Sequence, residues 1–310
     1  MEAVFVGIDV SQDRLDVHVR PSGEAFGVNR NGKGLEELIG RLTVLAPQLV
    51  AVEATGGFET IAAAALAGAG LPLVVVNPAQ VRHFARAVGQ RAKTDPIDAA
   101  VIAHFVEAVK PQVRPVPGEE ARLLAELVTR RRQIIDMLVA ERQRERRAQS
   151  PRVCKSLARH IKALEKELVE VDADIDTLMR GSPAWRDKED LLVSVPGIGK
   201  TLARTLLAEL PELGRLDRRH IASLAGLAPF TRESGRWKGQ SMIGGGRSAV
   251  RSALFMGALV ASRCNPALKV FHQRLLAAGK PKMRALIAVA RKLLTILNAI
   301  IRDQRPWQTA

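Results

Sequence analysis

Five side chains in this sequence stand out for chemistry: Asp9, Glu53, Asp95, Asp98 and Ser234. Four carboxylates brought together repel one another unless divalent cations neutralise them, and hard carboxylate oxygens suit Mg2+ or Mn2+. Two such ions about 4 Å apart align a phosphodiester with an attacking oxygen for in-line displacement. Asp95 and Asp98 are three residues apart, so a helix puts both on one face. Ser234 lies in LAGLAPFTRESGRWKG, with Arg232, Arg236 and Lys238 beside it. A serine next to a glycine and among cations can attack a phosphodiester while the cations stabilise the alkoxide and the pentacovalent transition state. Each residue also has an ordinary explanation: Asp9 as a turn residue, Asp95 as a cap before Pro96, Glu53 as a strand-end acid, Ser234-Gly235 as a turn. Only the joint placement of the four acids argues for a metal site. The chain has no tyrosine, which excludes a tyrosine recombinase mechanism.

These residues need a scaffold. Residues 3–10, 14–20 and 24–29 read as three short strands separated by polar turns, an antiparallel meander. The period then changes. Leu35, Leu38, Ile39 and Leu42 have helical spacing, 49–54 is a buried-type strand, 58–68 an Ala-rich helix and 71–77 another buried strand. After Pro78 a short helix and a loop at 89–94 lead to a helix that starts around Pro96, where a first turn tolerates proline, and runs to about Val109. The order βββαβαβα predicts an α/β, RNase H-like fold, with Asp9 closing the first strand, Glu53 the fourth, and Asp95 and Asp98 opening the helix after the fifth. The strand GIDVS also suits an actin-like sugar-kinase fold, but that fold needs glycines directly after the aspartate, and here Val10-Ser11-Gln12 follows.

Beyond residue 110 the reading is helical. A long charged helix is expected from Glu119 to Gln149, broken by Ser150-Pro151. In the next helix the apolar positions Leu157, Ile161, Leu164, Leu168, Val171, Ile175 and Leu178 alternate gaps of four and three, a coiled-coil seam. Whether it pairs within one hairpin or between subunits is left open, with a dimer contact favoured. Gly181-Ser182-Pro183 reads as a linker. The stretch LLVSVPGIGKTLARTLLAEL has the form of a helix-hairpin-helix. In it Gly197 and Gly199 let backbone N–H groups approach a phosphate, and Lys200 begins the second helix. A simple turn between two core helices is the alternative. Gly244 to Gly246, followed by Arg247 and Arg251, would wrap a phosphate backbone or form a flexible turn. The sequence therefore divides into 1–110 (RNase H-like, carrying the acids), 111–183 (helical, coiled coil) and 184–310 (helical, with the hairpin and the serine loop).

Charge supports that division. The formal net charge is +15 from 47 Lys and Arg against 32 Asp and Glu. Residues 1–110 hold 10 bases and 12 acids, 111–190 hold 17 and 15, and 191–310 hold 20 and 5. The whole excess falls in the last 120 residues, as expected of a polyanion-binding domain rather than of a solubilising surface. Arginine, 34 of the 47 bases, suits bidentate phosphate contacts. Two cysteines and scattered histidines support neither a disulfide framework nor a zinc site. No apolar run reaches the roughly 18 residues of a membrane span, and the start lacks signal-peptide features, so a cytoplasmic protein is expected.

Taken together, the motifs resemble one family, the DEDD transposases (recombinases) of the insertion-sequence one-ten group. GIDVSQDRLDV, VEATGGFE, VNPAQVRHFA and KTDPIDA are similar to its RuvC-like motifs. SVPGIGKTLARTLLAEL, LAGLAPFTRESGRWKG and RALIAVARKLLTILNAIIRD are similar to its transposase domain, and they occur in family order along nearly the whole chain. The resemblance implies that Asp9, Glu53, Asp95 and Asp98 bind Mg2+ or Mn2+ and that Ser234 forms a covalent protein–DNA intermediate. It further implies a structured guide RNA from the element, a bridge or seeker RNA that pairs with donor and target DNA. Dimers and a tetrameric synapse are implied too, with one subunit's carboxylates working with another's serine. Much of the family has a Ser-Lys pair after the serine loop; here Ile243-Gly244-Gly245-Gly246 stands instead, as in the one-one-one-one-like subgroup. The leading expectation is an RNA-guided DNA transposase. The alternatives are a Holliday-junction-type endonuclease using only the four acids, and a nucleic-acid-binding protein without catalysis.

Overall fold

The computed structural model describes residues 3–90, 94–113, 118–231, 233–239 and 241–308. The chain divides into two compact units, Met1–Pro117 and Gly118–Ala310. The first is a mixed α/β layer and the second is almost wholly helical. Among the described residues no helix is long and apolar enough to cross a membrane.

In the first unit β1 (Phe5–Val10), β2 (Arg14–Arg20) and β3 (Ala25–Asn29) form the expected meander, followed by α1 (Gly32–Leu45), β4 (Leu49–Glu53), α2 (Glu59–Gly68), β5 (Leu73–Val76), α3 (Pro78–Ala87) and α4 (Asp95–Val109). The sheet order is β3-β2-β1-β4-β5. β1 runs antiparallel to β2 and parallel to β4, and β4 runs parallel to β5. That mixed order is the one an RNase H-like fold calls for. β1 lies at the centre and is buried on both sides, which is why its sequence is a near-continuous apolar run rather than an alternating one.

Side-chain alternation sorts the sheet into two cores. Val6, Ile8, Val10, Val50 and Val52 point to the face covered by α1 and α2. Phe5, Leu49, Ala51, Val74 and Val76 point to the other, where Val81 of α3 and Ile102 and Phe105 of α4 meet them. By the period of two, Asp9 follows Phe5 and Gly7 onto this second face, and Glu53 follows Leu49 and Ala51. Gly7 is what lets α4 come down on the strand. A Cβ there would lie 2.2 Å from the Ala103 nitrogen and 2.4 Å from the Ala99 oxygen.

The second unit opens with α5 (Glu119–Glu145) and α6 (Pro151–Gly181), which fold back on each other as an antiparallel hairpin. α5 stops four residues short of the expected end, in a turn at 146–147, and Pro151 starts α6 at a position where its missing N–H costs nothing. The apolar seam of α6 packs on α5 within the chain, with Ile161, Leu164, Val171 and Ile175 against Leu124, Val128, Ile134 and Leu138. Ion pairs fasten the hairpin's flanks, Arg131 to Asp172 at 2.6 Å and Arg142 to Glu165 at 2.7 Å. Gly181-Ser182-Pro183 is not an extended connection. Ser182 alone separates α6 from α7 (Pro183–Val193), with φ −114° and ψ 107° turning the chain.

There follow α8 (Lys200–Glu209), α9 (Arg218–Leu224), the short strands β6 (Glu233–Ser234) and β7 (Trp237–Lys238), α10 (Ser248–Cys264), α11 (Pro266–Ala277) and α12 (Lys282–Asp303). α12 supplies much of the core through Val289, Leu293, Leu294 and Leu297, which meet Leu202 and Leu206 of α8 and Leu254 and Ala258 of α10. The buried Asn298 is satisfied at both ends, accepting from Gly214 N and donating to Leu216 O.

Candidate active site

All four acids singled out in the sequence line one cleft of about 580 Å³ in the first unit. Ile8 pairs with Val52 in the parallel register, so Asp9 and Glu53 are the next residues on adjoining strands. The turn after Glu53 is held by Glu59, whose carboxylate accepts from the backbone N–H groups of Thr55 and Gly57 at 2.9 and 2.8 Å. Asp95 and Asp98 open α4, with the Asp98 N–H donating to Thr94 O at 2.8 Å. The close approach of α4 at Gly7 therefore brings its acidic first turn towards Asp9. Helix N-termini also favour such carboxylates through the unpaired N–H groups of the first turn.

Electrostatics follow from that crowding. Asp9 is half-buried, and burial together with the charges of Asp98, Asp95 and Asp16 pushes its carboxyl up to about 6, only partly offset by the Val10 N–H. The Asp16 contribution was not anticipated from sequence. It arises because Asp16 is directly opposite Asp9 in the β1–β2 ladder, nearly buried, with Arg14 at 2.9 Å.

In the second unit Ser234 pairs with Trp237 across a two-residue turn through Gly235, whose φ of +57° favours glycine, and Arg236. Ser234 and Arg236 are exposed, and neither side chain makes a hydrogen bond or ion pair among the described residues. Arg232 lies outside the described residues, as does the side chain of Lys238. Gly197, at φ +98°, packs against α10, since a Cβ would meet the Ala261 Cα at 2.7 Å. Gly199 is at the N-cap of α8, exposed beside Lys200. Two of the expected phosphate-binding arginines are engaged by the protein itself. Arg247 makes two hydrogen bonds to Glu212 at 2.5 and 2.8 Å, and Arg251 donates to the Gly245 carbonyl at 2.5 Å.

Residues 6–148 match a family model for transposases of the IS110 DEDD type, and residues 189–273 match a second, described as transposase IS116/IS110/IS902 family. The chain is 32% identical to the pilin gene-inverting protein of Moraxella bovis over 99% of its own length and 98% of the relative's. The pilin gene-inverting protein of Moraxella lacunata matches to the same extent. This chain belongs to the IS116/IS110/IS902 transposase family. An insertion element IS110 protein of Streptomyces coelicolor also matches, 31% identical over 49% of this chain and 37% of that protein. As an IS110-type transposase, the chain is an enzyme of DNA recombination. The first family model spans all four cleft acids and the second spans Ser234.

DEDD transposases use a divalent metal. The donor set here fits one chemically: four oxygen-donor carboxylates around a cleft, one of them made reluctant to ionise by burial and by its acidic neighbours. As they stand, no three metal-binding side chains among the described residues are close enough to hold an ion. A cation would have to draw the acids inward. The sequence reading missed two basic residues that also line the cleft, Arg82 and Arg86 of α3. Their signal was present in VRHFAR, two arginines four residues apart on a helix that directly follows a core strand.

Proposed function

We propose that this IS110-family transposase cuts and rejoins DNA by transesterification, with Ser234 as nucleophile and Asp9, Glu53, Asp95 and Asp98 as the metal-binding set. The observation that carries the reading is the convergence of these four acids, from two strands and one helix, on a single cleft. Mg2+ or Mn2+ bound there supplies Lewis-acid activation and neutralises charge on a phosphodiester. The Ser234 oxygen forms a bond to phosphorus, the P–O bond to the adjoining nucleotide breaks, and the released hydroxyl takes up a proton. A covalent protein–DNA ester results, which the reverse type of attack by a DNA hydroxyl resolves into a rejoined strand.

Residues 1–110 act as the RuvC-like catalytic part, 111–183 as a coiled-coil helical segment and 184–310 as the DNA-gripping part. In the last, Gly197, Gly199 and Lys200 form a helix-hairpin-helix contact to the backbone. Arg232, Arg236 and Lys238 surround the reacting phosphate, while Arg247 and Arg251 set the glycine loop against the strand. A structured RNA from the element guides the choice of donor and target DNA, and homodimers join as a tetramer in the synaptic complex. The Moraxella relatives are named for inverting a pilin gene, an outcome that cutting and rejoining of DNA would produce.

The test combines purified protein, RNA transcribed from the element's non-coding flank, Mg2+ and end-labelled donor and target DNA, read on a denaturing gel. A covalent adduct that needs the RNA and is lost in Ser234→Ala and in Asp9→Asn supports the reading. Cleavage without adduct, lost in Asp9→Asn but kept in Ser234→Ala, would instead establish a Holliday-junction-type endonuclease working through the carboxylates alone.

A further inference from the structure

The acidic cleft has a basic wall. α3 starts where the Asn77 side chain caps the Ala79 N–H at 2.8 Å, immediately after β5. Its register is set by the buried Val81 and by Phe84, which packs edge-on to His104 and Phe105 of α4 at 5.0 and 5.6 Å. With Val81 and Phe84 fixed inward, Arg82 and Arg86 are left one turn apart on the side that borders the cleft, where they join Asp9, Glu53, Asp95 and Asp98 in lining it. Both are exposed, and among the described residues neither is ion-paired or hydrogen-bonded through its guanidinium.

Two guanidiniums that border the same cleft as four carboxylates without pairing to any of them are available to an incoming anion. Side chains at i and i+4 start about 5–6 Å apart, so long arginines can reach neighbouring phosphates of one strand. Guanidinium also binds phosphate oxygens in a bidentate fork, which fixes orientation as well as charge. A strand bearing negative charge has to enter a space already holding four acids, and cations lining the same cleft offset that repulsion and set the strand's position over the carboxylates.

We infer that Arg82 and Arg86 are positioning residues that clamp the backbone of the DNA strand being cut, on phosphates flanking the reacting one. The inference rests on the reading of the cleft as the strand-cleaving site. It adds a nucleic-acid contact in the part of the chain whose net charge is negative, and it concerns DNA rather than RNA because the strand that meets the carboxylates is the one to be cut.

The experiment compares full-length wild type with Arg82→Ala/Arg86→Ala, Arg82→Lys/Arg86→Lys and Asp9→Asn. Binding to an end-labelled DNA strand spanning the element's terminus is titrated over a salt series in Ca2+, with RNA transcribed from the element's flank as a second probe, and strand cleavage is measured in Mg2+. For the double alanine variant the slope of log affinity against log salt on DNA becomes shallower by about two, roughly one per lost phosphate contact. Its cleavage falls by about tenfold or more, as expected when fixed charge stabilisation at a phosphate is removed. The double lysine variant recovers the slope but not the full cleavage rate, because charge is restored without the fork. Melting midpoints stay near wild type, since exposed unpaired side chains contribute little to stability. A wild-type DNA slope in the double alanine variant overturns the inference, as does a change confined to the RNA probe. If Asp9→Asn leaves cleavage intact, the cleft reading itself fails. If Asp9→Asn abolishes cleavage while the double alanine variant cleaves and binds DNA normally, only the arginine clamp fails.

Discussion

Asp9 faces Asp16 across the antiparallel β1–β2 ladder, and among the described residues only Asp16 of the two has a cation of its own, Arg14 at 2.9 Å. Room for that guanidinium comes from Gly27 on β3, where a Cβ would sit 2.2 Å from an Arg14 nitrogen. The sheet thus neutralises one acid internally and leaves the other facing the acids of α4. On the proposed reading of the cleft, Asp9 is where stability is given up for metal binding.

That trade has a pH signature. Asp9 titrates near 3.8 in the unfolded chain and near 6 when folded, so between those values the folded protein binds the extra proton and loses stability as pH rises. With allowance for solvent screening at a half-exposed group, the loss on going from about pH 4 to 7 is on the order of 1 kcal/mol. Asp9→Asn should therefore raise the urea midpoint at pH 7 in chelator and leave it unchanged near pH 4. Mg2+ should stabilise wild type and not the variant. An Asp9→Asn protein less stable than wild type at pH 7 would show that the carboxylate is a structural partner instead.

Gly7→Ala tests how the acids are brought together. The added methyl meets the backbone of α4, which cannot swing aside like a flexible side chain. Overpacking of this kind should cost about 3 kcal/mol and lift the first turn of α4 away from β1. Denaturant unfolding should show the destabilisation, and cleavage should fall with it. Wild-type stability would mean that the helix sits farther from the strand in solution.

In the helical unit, Arg204 on α8 donates to Asp176 of α6 at 2.5 Å and to Glu189 of α7 at 2.6 Å. Glu189 is buried, so Arg204→Met strands an uncompensated charge and should destabilise by about 3 kcal/mol at neutral pH. The Arg204 hydrogen bond holds the Asp176 carboxyl below its usual range, and that stabilisation is present above the ordinary carboxylate pKa and lost as pH falls through the depressed one. The gap between variant and wild type should accordingly narrow in acid. A constant gap across a urea series from pH 3 to 7 would argue that Arg204 acts through packing alone.

Arginine position should matter more than arginine number. Arg236 is exposed on the Ser234 turn with no partner among the described residues, whereas Arg142 is paired to Glu165 on the flank of the helical hairpin. Arg236→Ala should weaken DNA binding or strand transfer more than Arg142→Ala does. Equal losses in a gel-shift and strand-transfer comparison would move the reacting loop elsewhere.

Much of this arrangement was legible in the residues. The strand meander, the alternation of helix and strand after residue 30 and the four acids at element ends follow from hydrophobic period and turn chemistry, which are local properties. The apolar seam of α6 was legible as well, but its partner was not, because a heptad pattern is satisfied equally by a neighbour in the same chain or by another subunit. Only the antiparallel return of α6 along α5 fills it from within the chain. Arg247 and Arg251 show the opposite limit. By sequence they are cations after a glycine run, and in the fold their guanidiniums hold Glu212 and the Gly245 carbonyl.

By itself, the sequence determined the element order, the segregation of positive charge into the last 120 residues and the motifs that mark the transposase family, since each is a matter of composition, period or spacing. The tertiary structure decided which face of the sheet Asp9 and Glu53 share, how closely α4 descends on Gly7, and that Arg82 and Arg86 line the same cleft as the acids. Those facts depend on contacts between residues far apart in the chain. Their distances are fixed by packing, which no local pattern encodes.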